Sequence, residues 1–507
     1  MYFIKNKFYN FNLKGCTATF ILFFFSTSIV LFGQTSKKPN IVIILADDLG
    51  WSDLGCYGST FYETPYLDQL AADGIQFMYG YATSPVCSPS RASLMTGKYP
   101  VKTGITDWIK GRQADGKAKP YEKMIAKPTA YNLSLDEKTI AERAMENGYK
   151  TFFAGKWHLG ENEASWPENQ GFMINKGGTS KGSPTGVKND TTGGFFTPYQ
   201  NPRLNDGPPG EYLTDRLADE CLKFIDQEKN SPFLMVYSLY AVHNPLQAPT
   251  TLVNKYKQKL NNLALKPDNI FRKDEPWMAY ENGWKQRIVQ SHPVYAAMVE
   301  NMDLNIGKIL KKLNDLGLSE NTLVVFTSDN GGLSTAEGSP TTNYTLRAGK
   351  GWLYEGGIRV PFILRWPGKI AAGQKSDIPV HTGDIFATCM GAFDMQKKKN
   401  LTIDGKNILD LLEKPKEATK RAQYWHYPHY SNQGGKPGSA ILQYPYKLIY
   451  NHENTSTELY HLKNDPGEAK NLSQVNSKIT LKLYKQLQNW LKNVNATYPD
   501  NNPNYVK

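Results

Sequence analysis

Between residues 40 and 330 the chain alternates continuous apolar runs with longer stretches whose apolar positions recur at helical spacing. Asn40-Ile41-Val42-Ile43-Ile44-Leu45-Ala46 shows no polar alternation, which predicts a strand covered on both faces and so a parallel sheet. Tyr149–Ala154, Phe233–Leu239 and Thr322–Thr327 read as further strands. Thr64-Pro65 caps a helix that Gly74 ends, with proline at the first helical position, where a missing N–H costs nothing. Asp136 to Asn147 is predicted helical and is stopped by Gly148. A long helix from Tyr295 to Leu316 carries Val299, Met302, Ile306, Ile309, Leu310 and Leu313 at helical spacing. This alternation predicts an α/β fold, a sheet with helices on its faces.

After about residue 370 the texture changes. Gln423–Tyr430, Ile441–Tyr450 and Glu458–Leu462 are short aromatic runs that read as antiparallel strands. A final helix presents Ile479, Leu483, Leu487, Trp490, Leu491 and Val494 on one face. A length of 507 residues suits about two folding units. The predicted division is a larger α/β domain over residues 34–370 and a smaller α+β domain over 371–507. The stretch Gly177–Gly194, rich in Gly, Ser and Thr, predicts a mobile surface loop.

The first residues follow a different order: Lys5, Lys7 and Lys14, then an apolar run Ala18–Phe32, then Gly33-Gln34. Basic, apolar and small in that sequence predicts a secretory signal over residues 1–33, cleaved after Gly33, and hence a periplasmic or secreted bacterial protein. An uncleaved anchor is the alternative, but about 15 apolar residues is short for a span, so no stable membrane anchor is expected. Leu13-Lys14-Gly15-Cys16 has the look of a lipoprotein box, yet it precedes the apolar run instead of ending it.

Five cysteines change the picture little. Cys16 falls in the signal, and Cys56, Cys221 and Cys389 allow at most one disulfide, so this is no cystine-stapled scaffold. Removing the three signal lysines takes the formal charge from +12 to +9. A basic exported protein attracts polyanions, for which a sulfated polysaccharide is a better candidate than nucleic acid. No Lys/Arg stripe or DNA-binding motif argues otherwise.

Candidate chemistry gathers where strands end, the place where open α/β sheets bind ligands. Asp47-Asp48 follows the first strand and Ser328-Asp329-Asn330-Gly331-Gly332 the fourth. Three carboxylates and an amide oxygen make a hard donor set for Ca²⁺ or Mg²⁺, although an Asp-Asp pair alone after a strand is more readily a helix cap or turn. Gly155-Lys156-Trp157-His158-Leu159-Gly160 and Tyr240-Ala241-Val242-His243-Asn244-Pro245 follow the other two strands. Cys87-Ser88-Pro89-Ser90-Arg91-Ala92-Ser93-Leu94-Met95-Thr96-Gly97-Lys98 carries a cysteine with proline, arginine and a Thr-Gly-Lys turn at fixed offsets. An isolated cysteine is more often a small buried side chain. This one stands just before a helix start near Ser90, where the positive helix end favours negative charge.

The twelve residues from Cys87 resemble the signature of the sulfatase family. The other segments follow in that family's order, from Pro39 to about Leu472, including Asn343–Gly351, Tyr354–Pro361, Leu459-Tyr460 and Asn464–Glu468. The resemblance implies an alkaline-phosphatase-like fold and a sulfuric ester hydrolase. It implies that a formylglycine-generating maturation enzyme oxidises Cys87 to an aldehyde, whose hydrate offers the nucleophilic hydroxyl. By the same resemblance Asp47, Asp48, Asp329, Asn330 and the converted Cys87 hold one divalent ion, usually calcium with magnesium possible, and Asp329 sits where the proposed base deprotonates the diol. Lys156 and Lys350 would bind sulfate, His158 would contact the formylglycine hydroxyl and His243 would protonate the leaving group. Arg91 has two compatible readings, stabilising the charged diol and serving recognition during maturation. Glu355 and Arg359 read as a structural pair. Ala348 stands where the family usually has glycine.

The substrate is approached through Tyr424-Trp425-His426-Tyr427-Pro428-His429-Tyr430 and Gly434-Gly435-Lys436-Pro437-Gly438. Aromatics suit sugar faces and imidazoles or lysine suit sulfate or carboxylate, while Trp425 and Tyr427 read rather as core of a small sheet. A similar stretch occurs in some polysaccharide sulfatases of marine and gut bacteria, which makes His426 and His429 candidate contacts to a sulfated oligo- or polysaccharide. Two rival readings stay open: a phosphoester hydrolase of the same superfamily, and a non-catalytic glycan-binding protein with Cys87 unconverted.

Overall fold

The structure is a computed structural model that describes residues 38–506 apart from 264, 267, 268, 273–284 and 396–401. The predicted export signal lies outside the described residues. No helix among those described is long and apolar enough to cross a membrane.

An eight-stranded mixed sheet forms the centre. Its middle is four parallel strands in the order Thr322–Ser328, Asn40–Ala46, Phe233–Ser238 and Lys150–Gly155. Ile174–Lys176 adds one parallel edge. On the other side Phe362–Arg365 runs antiparallel, followed by Ile75–Phe77 and Gln374–Ser376. The unbroken apolar run of the first strand is explained by its surroundings. Val42, Ile44 and Ala46 face one buried cluster, with helices Pro65–Ala72, Leu213–Glu228 and Pro293–Asp315. Ile41, Ile43 and Leu45 face the other, with helices Cys87–Thr96, Ile140–Glu146 and Thr382–Ala392. Each strand residue is therefore removed from water, at roughly 25 cal/mol per Å² of apolar surface.

Register brings the strand ends level. Ala46 lies beside Ser328, Leu45 beside Ser238, and Ser238 beside Gly155. The four polar segments that follow these residues thus emerge on one edge. Gly155 has φ +106°, and a Cβ there would stand 1.9 Å from the Ser238 carbonyl oxygen, so only glycine passes this point.

A separate four-stranded antiparallel sheet, Ala422–Tyr427, Gly438–Gln443, Tyr446–Asn451 and Thr457–His461, follows. The run expected as one strand, Ile441–Tyr450, is two, because the chain turns at Tyr444-Pro445 and proline cannot donate to a ladder. Helix Ser477–Asn493 packs Leu483, Leu487 and Leu491 on Ile441, Leu448 and Leu459. The helix expected from Asp136 starts only at Ile140, where Thr139 and Glu142 form a capping box. The helix expected near Ser90 starts at Cys87 itself. Cys56, Cys87, Cys221 and Cys389 are free thiols.

The small sheet is tied to the large one by buried charge. Lys447 donates to Glu355 at 2.9 Å and pairs with Glu468 at 2.9 Å, all three residues fully buried. Glu355 also pairs with Arg359 and accepts from the Tyr81 hydroxyl. The expected Glu355–Arg359 pair is thus one corner of a network that reaches the small sheet. Lys447→Ala should leave Glu468 buried without its cation and cost about 3–5 kcal/mol, read as a fall in the denaturation midpoint. An unchanged midpoint would show the network to be dispensable.

Candidate active site

Three acidic groups meet at the level edge. Asp47, Cys87 and Asp329 bring ligand atoms within 4.8 Å of one another. Asp48, held at φ +61°, receives Asn330 Nδ2 on Oδ1 at 2.8 Å and donates its backbone N–H to Asp329 Oδ1 at 3.3 Å. All four polar ligand candidates are buried, from 0 to 2% exposed. Like charges this close and this dry need opposite charge, and three cations supply it. Lys156 donates to both oxygens of Asp47, at 2.9 and 2.7 Å. Lys350 donates to Asp48 Oδ2 at 2.8 Å. Arg91 pairs with Asp329 through Nε at 2.8 Å and donates from Nη1 to Ser238 Oγ and the Lys156 carbonyl, both at 2.7 Å.

The balance is uneven. Burial, uncompensated because Asp329 and Asp48 repel it, raises Asp47 well above the usual carboxylate range despite Lys156. Burial alone would raise Asp48 too, but Lys350 and then Lys156 outweigh it and hold this carboxyl down. Lys350 is held charged against its own desolvation by Asp48, Cys87 and Glu337. Asn330 Oδ1 is buried with no hydrogen-bond partner. An unpartnered amide oxygen within a cluster of buried carboxylates is a donor set that fits a hard divalent cation.

Cys87 is the first residue of its helix, 3% exposed, with its thiol pushed up mainly by burial despite Lys156 and Lys350. A buried protonated thiol is a poor nucleophile. It lines a cleft of about 250 Å³ together with Trp108, Ile109, His158, Gly182, Ser183, His243, Glu337, Lys350, Asn432 and Gln433. His158 turns Nε2 to the Ile109 carbonyl at 2.8 Å, which makes Nε2 the protonated nitrogen and leaves buried Nδ1 as an unpartnered acceptor. His243 turns Nδ1 to the Asn244 carbonyl at 2.8 Å and Nε2 to Asp48 at 3.6 Å. Burial, then Lys156, lowers His158; burial, then Lys350, lowers His243 to about 3. Both imidazoles are neutral at rest.

The family model described as Sulfatase matches residues 39–395, and a second, for the C-terminal part of N-sulphoglucosamine sulphohydrolase, matches 348–497. The chain belongs to the sulfatase family. It is 33% identical to a sulfatase of Formosa agariphila, covering 93% of this chain and 94% of that one. It is 29% identical to human steryl-sulfatase over 82% of this chain and 76% of the relative. Among solved structures it is similar to Ps i-CgsB in complex with k-i-k-neocarrahexaose, with a TM-score of 0.70, 27% identity, and coverage of 90% and 93%. This sulfatase is a sulfuric ester hydrolase with an alkaline-phosphatase-like sheet, which sets aside the phosphoesterase and binding-protein readings.

Of the residues expected from the sulfatase's sequence, Asp47, Asp48, Cys87, Arg91, Lys156, His158, His243, Asp329, Asn330 and Lys350 come together at one edge. Arg91 stands behind the cleft, its guanidinium engaged by Asp329, Ser238 and Lys156. His426 and His429 are not brought to the cleft wall. His426 is spanned between Ser439 Oγ at 2.8 Å and the Thr497 carbonyl at 2.9 Å, and His429 meets Thr106 Oγ1 at 2.9 Å. Both are buried, so their nitrogens serve packing of the small sheet instead of substrate. Asn432 and Gln433, in the turn just after that aromatic run, line the cleft in their place. The Gly177–Gly194 stretch also differs from a plain surface loop. Gly182 lines the cleft, and the Thr179 carbonyl accepts from the His158 backbone N–H at 3.1 Å. Trp108, Glu337 and Ser238 had no sequence motif to mark them.

Gly182 presses on the ring of His158, since a Cβ there would meet ring atoms at 2.5–2.9 Å. Gly182→Ala should tilt the imidazole and lower kcat about 10- to 100-fold, because displacement of about 1 Å costs that much. The melting temperature should stay close to that of the native enzyme. Unchanged kcat would show that the ring has room to yield.

Proposed function

We propose that this sulfatase removes sulfate from a sulfated glycan, with Cys87 as formylglycine and one divalent cation, calcium or magnesium, in the acidic cluster. The observation that carries the reading is the meeting of Cys87 with Asp47 and Asp329, under the cations Lys156, Lys350 and Arg91. Three carboxylates and three basic side chains balance in charge, so a bound dication leaves a surplus that an anionic ester offsets. A glycan substrate is supported by the neocarrahexaose complex of Ps i-CgsB. The same reading has residues 1–33 export the chain to the periplasm or beyond. It keeps 34–370 as the catalytic part, with 371–507 as a smaller part supplying Asn432 and Gln433 to the cleft.

Asp47, Asp48, Asp329, Asn330 and residue 87 would hold the cation, which supplies a fixed positive charge for a sulfate oxygen and for the hydroxyl of residue 87. Formylglycine at residue 87 supplies, as its hydrate, the hydroxyl that a buried thiol does not replace. Residue 87 opens helix Cys87–Thr96, whose positive end favours negative charge there. Lys156 and Lys350 hold non-bridging oxygens, where one lost donor costs about 10²–10³ in rate. Arg91 keeps Asp329 and Lys156 in place from behind. His158, with its buried Nδ1 unpartnered, would position the residue-87 hydroxyl, whose proton Asp329 would take. His243 keeps its Nδ1 proton on the Asn244 carbonyl, takes a second proton from solvent on Nε2 once sulfate is bound, and delivers that one to the departing sugar oxygen. Its low affinity at rest comes from burial and from Lys350, whose influence a bound sulfate would offset.

Cys87→Ala should abolish turnover of aryl and sugar sulfates while the melting temperature stays near native. The peptide spanning Cys87 from active enzyme should carry the mass of the aldehyde. Substantial activity in Cys87→Ala would end the reading. The histidine roles separate by leaving group. His243→Ala should lose about 10²–10⁴ in rate on sugar sulfates and much less on an aryl sulfate with an acidic phenol, which departs without a proton. Equal losses on both would remove His243 as general acid.

A further inference from the structure

We propose that Glu337 selects the sugar, accepting a free hydroxyl beside the sulfate ester and turning away a second anionic substituent there. This rests on the sulfated-glycan reading and names its determinant on the sugar side.

Among the described residues that line the cleft, Lys350 and Glu337 are the lysine and the carboxylate. The two face different ways. Lys350 is buried and turned down onto Asp48, at 2.8 Å. Glu337 is exposed at the rim, where its Oε1 accepts from Gln433 Nε2 at 2.5 Å. Its backbone carbonyl accepts from Asn244 Nδ2 at 3.3 Å, and Asn244 adjoins His243. The Glu337 segment therefore abuts the loop that carries His243, and both residues line the same cleft.

Gln433 is itself fixed. Its carbonyl accepts from Thr335 Oγ1 at 3.0 Å and from Trp352 Nε1 at 2.8 Å, so the amide holds the carboxylate from a rigid base. Among the described residues Glu337 Oε2 has no protein donor, which leaves it for a hydroxyl of the ligand. The basic groups around the cleft are committed elsewhere, Lys350 first of all to Asp48 at 2.8 Å. Arg112 reaches Asn432 from behind at 3.3 Å but pairs with Glu122 at 2.8 Å, and Lys110 pairs with Glu161. Glu337 also sits at φ +53° beside Gly338, a conformation that costs a side chain strain. A carboxylate kept there gives a hydroxyl a partner and gives a sulfate or carboxylate a like charge, the repulsive element that specificity needs.

The test compares kcat/KM for a monosulfated disaccharide and for the same disaccharide with a second sulfate on the adjacent carbon. The native enzyme should prefer the monosulfate by at least about tenfold, a modest figure because the rim is open to water. Glu337→Gln, which keeps the shape and removes the charge, should narrow that preference by about tenfold, and Glu337→Lys should reverse it. No native preference, or a ratio that neither variant moves by more than about twofold, overturns the proposal. Native turnover of an aryl sulfate, measured alongside, separates the failures. An enzyme that cleaves the aryl ester but no sugar sulfate loses the glycan reading, whereas one that cleaves sugars with an unmoved ratio loses only the role of Glu337.

Discussion

The structure depends on keeping three carboxylates together out of water. Asp47, Asp48 and Asp329 lie fully or almost fully buried at adjoining strand ends, an arrangement that their mutual repulsion and desolvation both oppose. Lys156, Lys350 and Arg91 offset it one for one, and each arrives from a different part of the chain. Removing any one cation leaves an uncompensated buried charge, so binding chemistry and local stability are the same set of contacts. Such a site is dry by construction, which strengthens every charge interaction inside it.

The rest of the molecule places those cations. Parallel pairing puts Lys156 and both acidic pairs at one level, and glycine at 155 lets the chain turn against Ser238. Lys350 comes from a loop outside the central strands, and that loop is anchored by the buried Glu355–Lys447–Glu468 network to the small sheet. The small sheet therefore acts on the site in two ways. It fixes the segment that follows Lys350, and it contributes Asn432 and Gln433 to the opposite wall of the cleft.

The two histidines show how backbone carbonyls assign chemistry. Ile109 takes the Nε2 proton of His158 and Asn244 takes the Nδ1 proton of His243. His158 is left with an unpartnered Nδ1 and His243 with Nε2 toward Asp48, so two chemically identical side chains keep different nitrogens free of a proton. The Ile109 carbonyl belongs to no motif, and the Asn244 carbonyl belongs to the residue next to His243 itself. Their effect comes only from where the loops run.

The sequence by itself determined the parallel strands, because residues apolar on both faces have no other stable place, and it determined the chemistry carried by contiguous segments. Cys87 with Arg91, Lys156 with His158, and the acidic pairs are each local patterns tied to a strand or helix end, and the register of the sheet then assembles them. Tertiary structure alone decided what depends on side-chain direction between distant segments. His426 and His429 are compatible with sugar contact or with packing until the small sheet folds and commits their nitrogens to Ser439, Thr497 and Thr106. Glu337 and Gln433 are ordinary loop residues 96 positions apart until folding sets a carboxylate against an amide at 2.5 Å. No periodicity encodes such a pair, since it exists only where two loops meet.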